Sequence, residues 1–421
     1  MEDNFKSIDR VIIAGVHTDA KFKLMDTTEE SMHELSELVD TAGALVVGEM
    51  VQNRQVLETG TYFGEGKLEE LKICCNELNA TMVVVDDELT GSQIRNIENV
   101  LEDVTVIDRN TLILDIFAQR ARSAEGKIQV ELAQLKYMLP RLSGMGKQLS
   151  RLGGGIGTRG PGESKLESDR RHIMRRVNSL KSDLSEIEKR RESLRTRRKK
   201  DGIMTAAIVG YTNAGKSTLI NALTGSDVSA KNRLFETLDL TSRDLTLADS
   251  RKVKIIDTVG FIRRLPHQFI EAFKSTLEEA ATADILIHVI DSSSPEMENQ
   301  IEVVNNLLKE LGCSGKPVIG VFNKVDALTQ PFIGRFGFEH FVEISAKNGE
   351  GLDTLKEIIE DVLPKKKRLV KLLIPYSDGS AVSLLHENEL IVSSQYVDSG
   401  TLLEVMLDDI TFERLRKYER L

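Results

Sequence analysis

Between Arg10 and Asp108, short apolar runs alternate with segments whose apolar residues recur every three or four positions. "RVIIAGV", "GALVVGEM", "ATMVVVDDE" and "DVTVID" are brief and rich in β-branched residues, and predict strands. "TEESMHELSELVDTAG", "KLEELKICCNEL" and "GSQIRNIENVLE" predict the helices between them. Such alternation predicts a small parallel sheet covered by helices over residues 1–108.

The pattern then changes. Ile128, Leu132, Leu135, Leu139, Leu142 and Leu149 fall at 4-3-4-3-7 spacing, and Ile173, Val177, Leu180, Leu184, Ile187 and Leu194 repeat it. Sustained 3.5-residue spacing predicts a coiled-coil seam, so 109–200 is expected to be an antiparallel helical arm. Its second helix, if continuous from 165 to 200, would reach about 50 Å. Pro140 is expected to kink or interrupt the first. Strand–helix alternation returns over 201–364. The tail, 365–421, reads strand, helix, strand, strand, helix ("RLVKLLIP", "DGSAVSLLHE", "ELIVSSQYV", "GTLLEVML", "TFERLRKYE"), a small α+β domain. The basic link "PKKKR" marks its boundary.

Composition changes this picture in one respect. The chain has 421 residues, enough for about three domains. Its three cysteines form no C-x-x-C or His/Cys cluster, which argues against a disulfide framework or a zinc finger and for a reduced, cytoplasmic setting. The opening "MEDNFKSIDR" has no apolar core segment, so no signal peptide is expected, and no apolar run is long enough to span a bilayer. The net charge of −10 conceals an asymmetry: residues 136–200 carry 19 Lys and Arg against 7 Asp and Glu. One segment suits a polyanion and the remainder does not.

"GYTNAGKST", Gly210 to Thr218, fits G-x-x-x-x-G-K-[ST] and follows the predicted strand "GIMTAAIV", the context that a phosphate loop requires. Backbone N–H groups of such a loop cradle phosphates, Lys216 is expected to reach the β- and γ-phosphates, and Ser217 to ligate Mg²⁺. Asp257 and Gly260 form a D-x-x-G in "DTVGFIRRLP". "NKVD", Asn323 to Asp326, follows "PVIGVF", and "SAK", Ser345 to Lys347, follows "FVEI". A carboxylate such as Asp326 accepts from guanine N1–H and the N2 amino group, which adenine lacks, so the nucleotide is GTP or GDP. In "LFETLDLTSRD", Thr237 and Thr241 are the candidates for completing the magnesium shell, with Thr237 preferred.

"GYTNAGKSTL", "FETLD", "DTVGFIRRLPHQ", "NKVD" and the loop "RLGGGIGTRGPGESKLESDRR", with "LVDTAGALVVG" and "GEGKLEELK" near the start, together resemble the HflX family of GTPases over nearly the whole chain. The resemblance implies an α/β P-loop GTPase that binds the large ribosomal subunit and its RNA and splits stalled or stress-arrested ribosomes. It implies a cytoplasmic, partly ribosome-associated protein, expected to be monomeric. By the match, the nucleotide residues are Gly210, Tyr211, Thr212, Asn213, Ala214, Gly215, Lys216, Ser217 and Thr218; Phe235, Glu236, Thr237, Leu238 and Asp239; Asp257, Thr258, Val259 and Gly260; Asn323, Lys324, Val325 and Asp326; and Ser345, Ala346 and Lys347. Magnesium falls to Ser217 and Thr237. Asn213 is a candidate for holding K⁺ beside the phosphates.

The glycine-rich stretch 153–162 is longer than a helix connector needs and is flanked by arginines. Glycine permits close approach to a ligand and arginine pairs bidentately with phosphate. Arg151, Gly153, Gly154, Gly155, Arg159, Arg170, Arg171, Arg175 and Arg176 are therefore the RNA-contact candidates, and in the family the corresponding segment reaches ribosomal RNA near the peptidyl-transferase region. "TYFGEGKLEEL" keeps G-x-G-K but lacks full phosphate-loop spacing. An RNA-remodelling ATPase using that segment, and a regulatory switch with a protein effector on the arm, are the alternatives.

Phe261 stands where Ras-like enzymes place the glutamine that orients water. A phenyl ring cannot do that work. Either Phe261 is only a packing residue and a polar group nearby (Arg263, Arg264, His267) orients the water, or hydrolysis stays slow until a partner orders the site.

Overall fold

The computed structural model describes residues 8–18, 28–142, 161–200, 203–225, 234–235, 241–248, 251–264, 269, 274–328, 334, 336–363, 367–388 and 390–419. Three sheets organise them. In the first, β1 (Arg10–His17), β2 (Leu45–Asn53), β3 (Met82–Val85) and β4 (Thr105–Asp108) lie parallel in the order β2-β1-β3-β4. Alternate residues of β1 point to opposite faces, as the two-residue strand period dictates. Val11 and Ile13 pack with α1 (Thr28–Ala42) and α4 (Arg109–Arg120), whereas Ile12, Ala14 and Val16 pack with α2 (Glu65–Leu78) and α3 (Gly91–Leu101). Both faces are covered, which is why these strands read as near-continuous apolar runs. Helix α3 starts with a reciprocal capping box between Thr90 and Gln93.

Sequence spacing put the start of the arm at 109. The structure instead buries Leu112, Ile113, Leu114, Ile116 and Phe117 of α4 in the N-terminal core. The arm proper is α5 (Ala124–Leu142) and α6 (Pro161–Lys200), closed by Leu132, Val177, Leu180 and Leu184 with Ile128, Leu135 and Ile173 beside them. Pro140 lies inside α5, in its last turn, and does not interrupt it. Helix α6 takes in Pro161 and Gly162, which the sequence assigned to the loop; proline is well tolerated in a first helical turn. Leu194 departs from the seam and is 58% exposed. The reason is length. Arg191 already pairs with Glu125 at the start of α5, so by residue 194 α6 has run past its partner.

The central sheet runs β10-β9-β8-β5-β7-β6, from β5 (Met204–Gly210), β6 (Ser242–Thr246), β7 (Lys252–Asp257), β8 (Ile285–Asp291), β9 (Val318–Asn323) and β10 (His340–Glu343). Only β6 is antiparallel to its neighbour. Helices α7 (Lys216–Thr224), α8 (Lys274–Thr282) and α9 (Met297–Glu310) lie between these strands, and α10 (Leu352–Val362) follows the last of them. The tail is an antiparallel sheet, β11 (Lys367–Ile374), β13 (Gly400–Asp408), β12 (Leu390–Val397), with α11 (Gly379–Asn388) and α12 (Asp409–Leu415) on one face.

Among the described residues, no helix is long and apolar enough to cross a membrane.

Candidate nucleotide site

Strand β5 ends at Gly210, and the chain turns through residues 211–215 into α7 at the carboxyl edge of a parallel sheet, where ligands of such sheets bind. Gly215 caps α7 with φ at 95°, and a Cβ there would stand 2.2 Å from Asn323 Nδ2. Only glycine fits. Asn323, at the end of β9, donates through Nδ2 to Ala214 O at 2.9 Å and accepts from Ala346 N at 3.0 Å. One side chain thus joins the 210–218 loop to the 345–347 loop. Ser345 is buried and donates to Asp326 Oδ1 at 2.6 Å. Lys324 is half-buried and pairs with Asp291 at 2.6 Å. Residues from three separated motifs therefore converge on one edge.

Lys216 is buried and turned onto its own loop, donating to Gly210 O at 3.0 Å and Tyr211 O at 2.7 Å. Burial lowers its pKa to about 8, against the opposing pull of Asp257. Beneath it on β8, His288 is held neutral, its pKa pushed down to about 3 by burial and then by Lys216. Asp257 is buried at the end of β7, and Thr258 donates to Ile208 O at 2.6 Å.

Phe261 is a packing residue, as one of the two sequence readings has it. It is 1% exposed and lies in the same apolar cluster as Phe117, Phe235 and Phe269. Its backbone pairs with the phosphate loop: Thr212 N donates to Phe261 O at 2.7 Å, and Phe261 N to Gly210 O at 3.1 Å. Gly260 is thereby laid against the loop, and a Cβ there would stand 3.0 Å from Lys216 Nζ and 2.9 Å from Thr212 Cγ2. The ring of Phe117, from the N-terminal core, meets Phe235 edge-on at 4.6 Å and Phe269 at 5.9 Å.

The polar candidates near Phe261 are committed elsewhere. Arg263 pairs with Glu296 and, at 3.3 Å, with Glu30 of α1. Arg264 reaches Asp86 at 3.2 Å and Asp87 at 3.1 Å, just beyond β3. His267 lies outside the described residues, as do Glu236, Thr237, Leu238 and Asp239. Thr241 is described, and its carbonyl accepts from Asp257 N at 2.9 Å.

Several residues of this edge were invisible to motif reading. Tyr211 is buried, donates to Glu34 of α1 and accepts from Arg263 N at 2.9 Å; burial and Glu34 raise its pKa well above the ordinary phenol value. Asp86 is also held by Arg109 at 2.9 Å, itself paired with Glu34. The doublet "DD" closing a predicted strand was the available signal. Between α1 and the loop lies a cleft of about 470 Å³, lined by Glu29, Glu30, Glu34 and Glu37 on one side and by Tyr211 and Asn213 on the other. In the "GEGK" segment Gly64 caps α2, and its N–H donates to Gln52 Oε1 at 3.0 Å.

Of the arm candidates, Arg151, Gly153, Gly154, Gly155 and Arg159 lie outside the described residues. Arg170, Arg171 and Arg175 are exposed on α6. Arg176 is turned to Glu131 of α5, at 2.6 and 2.7 Å.

Comparison with known proteins agrees with this geometry. Residues 29–118 match the family profile "GTP-binding GTPase N-terminal", 120–198 "GTP-binding GTPase Middle Region", and 205–324 "50S ribosome-binding GTPase". GTPase HflX of Caldanaerobacter subterraneus subsp. tengcongensis is 49% identical over 418 residues, covering 99% of this chain and 95% of that one. The chain belongs to the HflX family of GTPases. GTPase HflX of Escherichia coli is 39% identical over 399 residues, 94% of this chain and 93% of its own. A crystal structure of a GTP-binding protein from Sulfolobus solfataricus in complex with GDP is 27% identical, covers 83% of this chain and 98% of its own, and superposes with a TM-score of 0.45. As an HflX-family enzyme the chain hydrolyses GTP.

Proposed function

We propose that this HflX-family GTPase docks on the large ribosomal subunit through its arm and splits stalled or stress-arrested ribosomes, with hydrolysis completed by the partner. The observation that carries the reading is the joining, in one chain, of a nucleotide edge built around Asp326 to a 40-residue helix with a one-sided basic excess. Four functional units follow: 1–108, 109–200 with α4 reassigned to the first, 201–364 and 365–421.

In this reading the 210–218 loop holds the phosphates, with 235–239 and 257–260 as the switches. The base lies between 323–326 and 345–347. The donor set for Mg²⁺ is hard oxygen, as that ion requires: the Ser217 hydroxyl, the Thr237 hydroxyl and, through the shell, the buried Asp257 carboxylate. Magnesium would neutralise charge developing on the phosphates. In this reading terminal phosphate meets the N–H of Gly260, and switch II peels from the phosphate loop to admit it, withdrawing Phe261 from its pairing with Gly210 and Thr212. Arg263 and Arg264 are tied to carboxylates of other elements, so they are not the water-orienting group in this arrangement. That agrees with a catalytic geometry which docking completes.

Purified protein is expected to turn over GTP slowly alone, faster with isolated large subunits and not with small ones, with stimulation fading as salt rises. Ribosome profiles on sucrose gradients should show subunits accumulating with GTP. Fast turnover by the protein alone, unchanged by either subunit, overturns the reading. Survival of ATP turnover in Lys216→Ala, stimulated by naked RNA, would favour the remodelling alternative.

Lys216 supplies a pH prediction. Below about pH 8 it carries its charge before nucleotide arrives. Above that it must take up a proton on meeting phosphate, so GTP affinity is expected to fall by up to about tenfold per unit as pH rises above about 8. Calorimetry in two buffers of different ionisation enthalpy would detect the proton; identical heats at pH 9 exclude it. If Asn213 helps hold K⁺, turnover in potassium will exceed that in sodium at equal ionic strength. Equal rates remove K⁺ from the site.

A further inference from the structure

Helix α6 ends where the arm meets α8, the helix that follows switch II. Glu279 of α8 is 1% exposed. Its Oε1 accepts from Arg195 Nε at 3.0 Å and Nη2 at 2.8 Å, and Arg198 Nη2 stands 3.8 Å from Oε2. Buried ion pairs are poor stability devices, since apolar groups of similar volume often do as well. What they supply is direction, because a guanidinium fork fixes orientation as well as distance. Clefts of about 520 and 250 Å³ flank this joint, the first against β5, β7 and α8, the second between Glu188, Arg191 and Glu278. The joint is therefore polar with space around it, rather than a packed apolar seam. On the inner side of α8, Ala280 shares the apolar cluster that contains Phe261 and Phe269. A change in the angle of α6 consequently has a physical route: guanidinium to carboxylate, carboxylate to helix, helix to the core that holds Phe261.

We propose that Glu279 is a positioning residue, which through Arg195 and Arg198 transmits the orientation of the arm to switch II, so that RNA engaged by α6 sets the hydrolytic geometry. This rests on the ribosomal reading above for the identity of the RNA. Glu279 touches no part of the nucleotide edge, so its removal should separate intrinsic from stimulated turnover.

The test uses full-length wild type, Glu279→Gln and Arg195→Lys. Three quantities are measured: intrinsic GTP turnover, turnover with isolated large subunits, and co-sedimentation with those subunits in a non-hydrolysable GTP analogue. For Glu279→Gln, intrinsic turnover and co-sedimentation should stay within about twofold of wild type while stimulation falls by about tenfold. Arg195→Lys, which keeps the charge but loses the fork, should fall between. Amide exchange over 274–282 is followed in parallel as deproteinised large-subunit RNA is added at low salt; it should slow in wild type and not in Glu279→Gln. The relay is overturned if Glu279→Gln is stimulated as fully as wild type, if its intrinsic turnover falls in step, or if wild-type exchange does not respond to the RNA. The stimulation criterion applies where wild type is itself stimulated; exchange that responds to RNA in wild type and not in Glu279→Gln, with no stimulation of wild type by subunits, would sink the ribosomal reading and leave the coupling of arm to α8 standing.

Discussion

Asp326→Asn is expected to lower kcat/KM for GTP by about ten-thousandfold and to make xanthosine triphosphate the better substrate. The carboxylate sits at the start of a short turn after β9, where Ser345 occupies Oδ1 at 2.6 Å. That leaves the second oxygen, and a lone pair of the first, for the two guanine donors. An asparagine keeps the acceptor for Ser345 but offers an amide N–H to the guanine amino group, donor against donor. Xanthine carries a carbonyl at that position and restores the pair. Because Asn323 and Ala346 are untouched, the phosphate loop keeps its link to the 345–347 loop and the fold should be unchanged. Steady-state turnover of both nucleotides checks this. Retained GTP turnover with no gain for the xanthine nucleotide would move the base away from Asp326.

Asp108→Ala should cost about 3–5 kcal/mol of stability in the N-terminal unit. Asp108 is fully buried at the end of β4. Its Oδ2 accepts from Leu89 N at 3.0 Å, from Arg141 Nη2 at 2.9 Å and from the Tyr137 hydroxyl, while Oδ1 accepts from Thr111 N at 2.9 Å and its hydroxyl at 2.6 Å. One carboxylate thus caps α4, closes the loop before α3 and fixes the end of α5. Alanine strands the donors and leaves a largely buried guanidinium without this partner. Asp108→Asn keeps the acceptor for Thr111 and should cost less. Chemical denaturation followed by amide exchange across β1–β4 reads the loss; a change below about 1 kcal/mol would show that the network is dispensable.

Much of the site was legible because its signals are local. The phosphate loop is nine consecutive residues after an apolar strand, and the "NKVD" and "SAK" segments each follow a strand of their own. Periodicity also exposed the alternation that builds one parallel and one mostly parallel sheet. What escaped is set by pairing between residues far apart in the chain. Nothing near Tyr211 announces Glu34, nor does anything near Arg264 announce Asp87. Heptad spacing extended the seam to Leu194 because spacing carries no information about where the partner helix stops. Likewise a boundary at 109 left "RNTLILDIFAQR" with the arm, and the burial of Leu112, Ile113, Leu114, Ile116 and Phe117 places it in the core. For Phe261 a packing role was one of the two sequence readings; its β-like pairing with the phosphate loop was what escaped.

That pairing turns nucleotide affinity into a gauge. Backbone bonds of the kind Phe261 makes contribute about 0.5–1.5 kcal/mol each, so molecules with the bridge open form a minor population whose size is set by ordinary strand energetics. A ligand that needs the open form is bound more weakly by that fraction: with one molecule in about a hundred open, the apparent dissociation constant is about a hundredfold larger than the intrinsic one. In the proposed reading, GDP, which has no terminal phosphate to place at Gly260, would escape most of this penalty. The ratio of GTP to GDP affinity therefore reports the open fraction, and any partner that widens that fraction will sharpen the preference for GTP without touching the nucleotide.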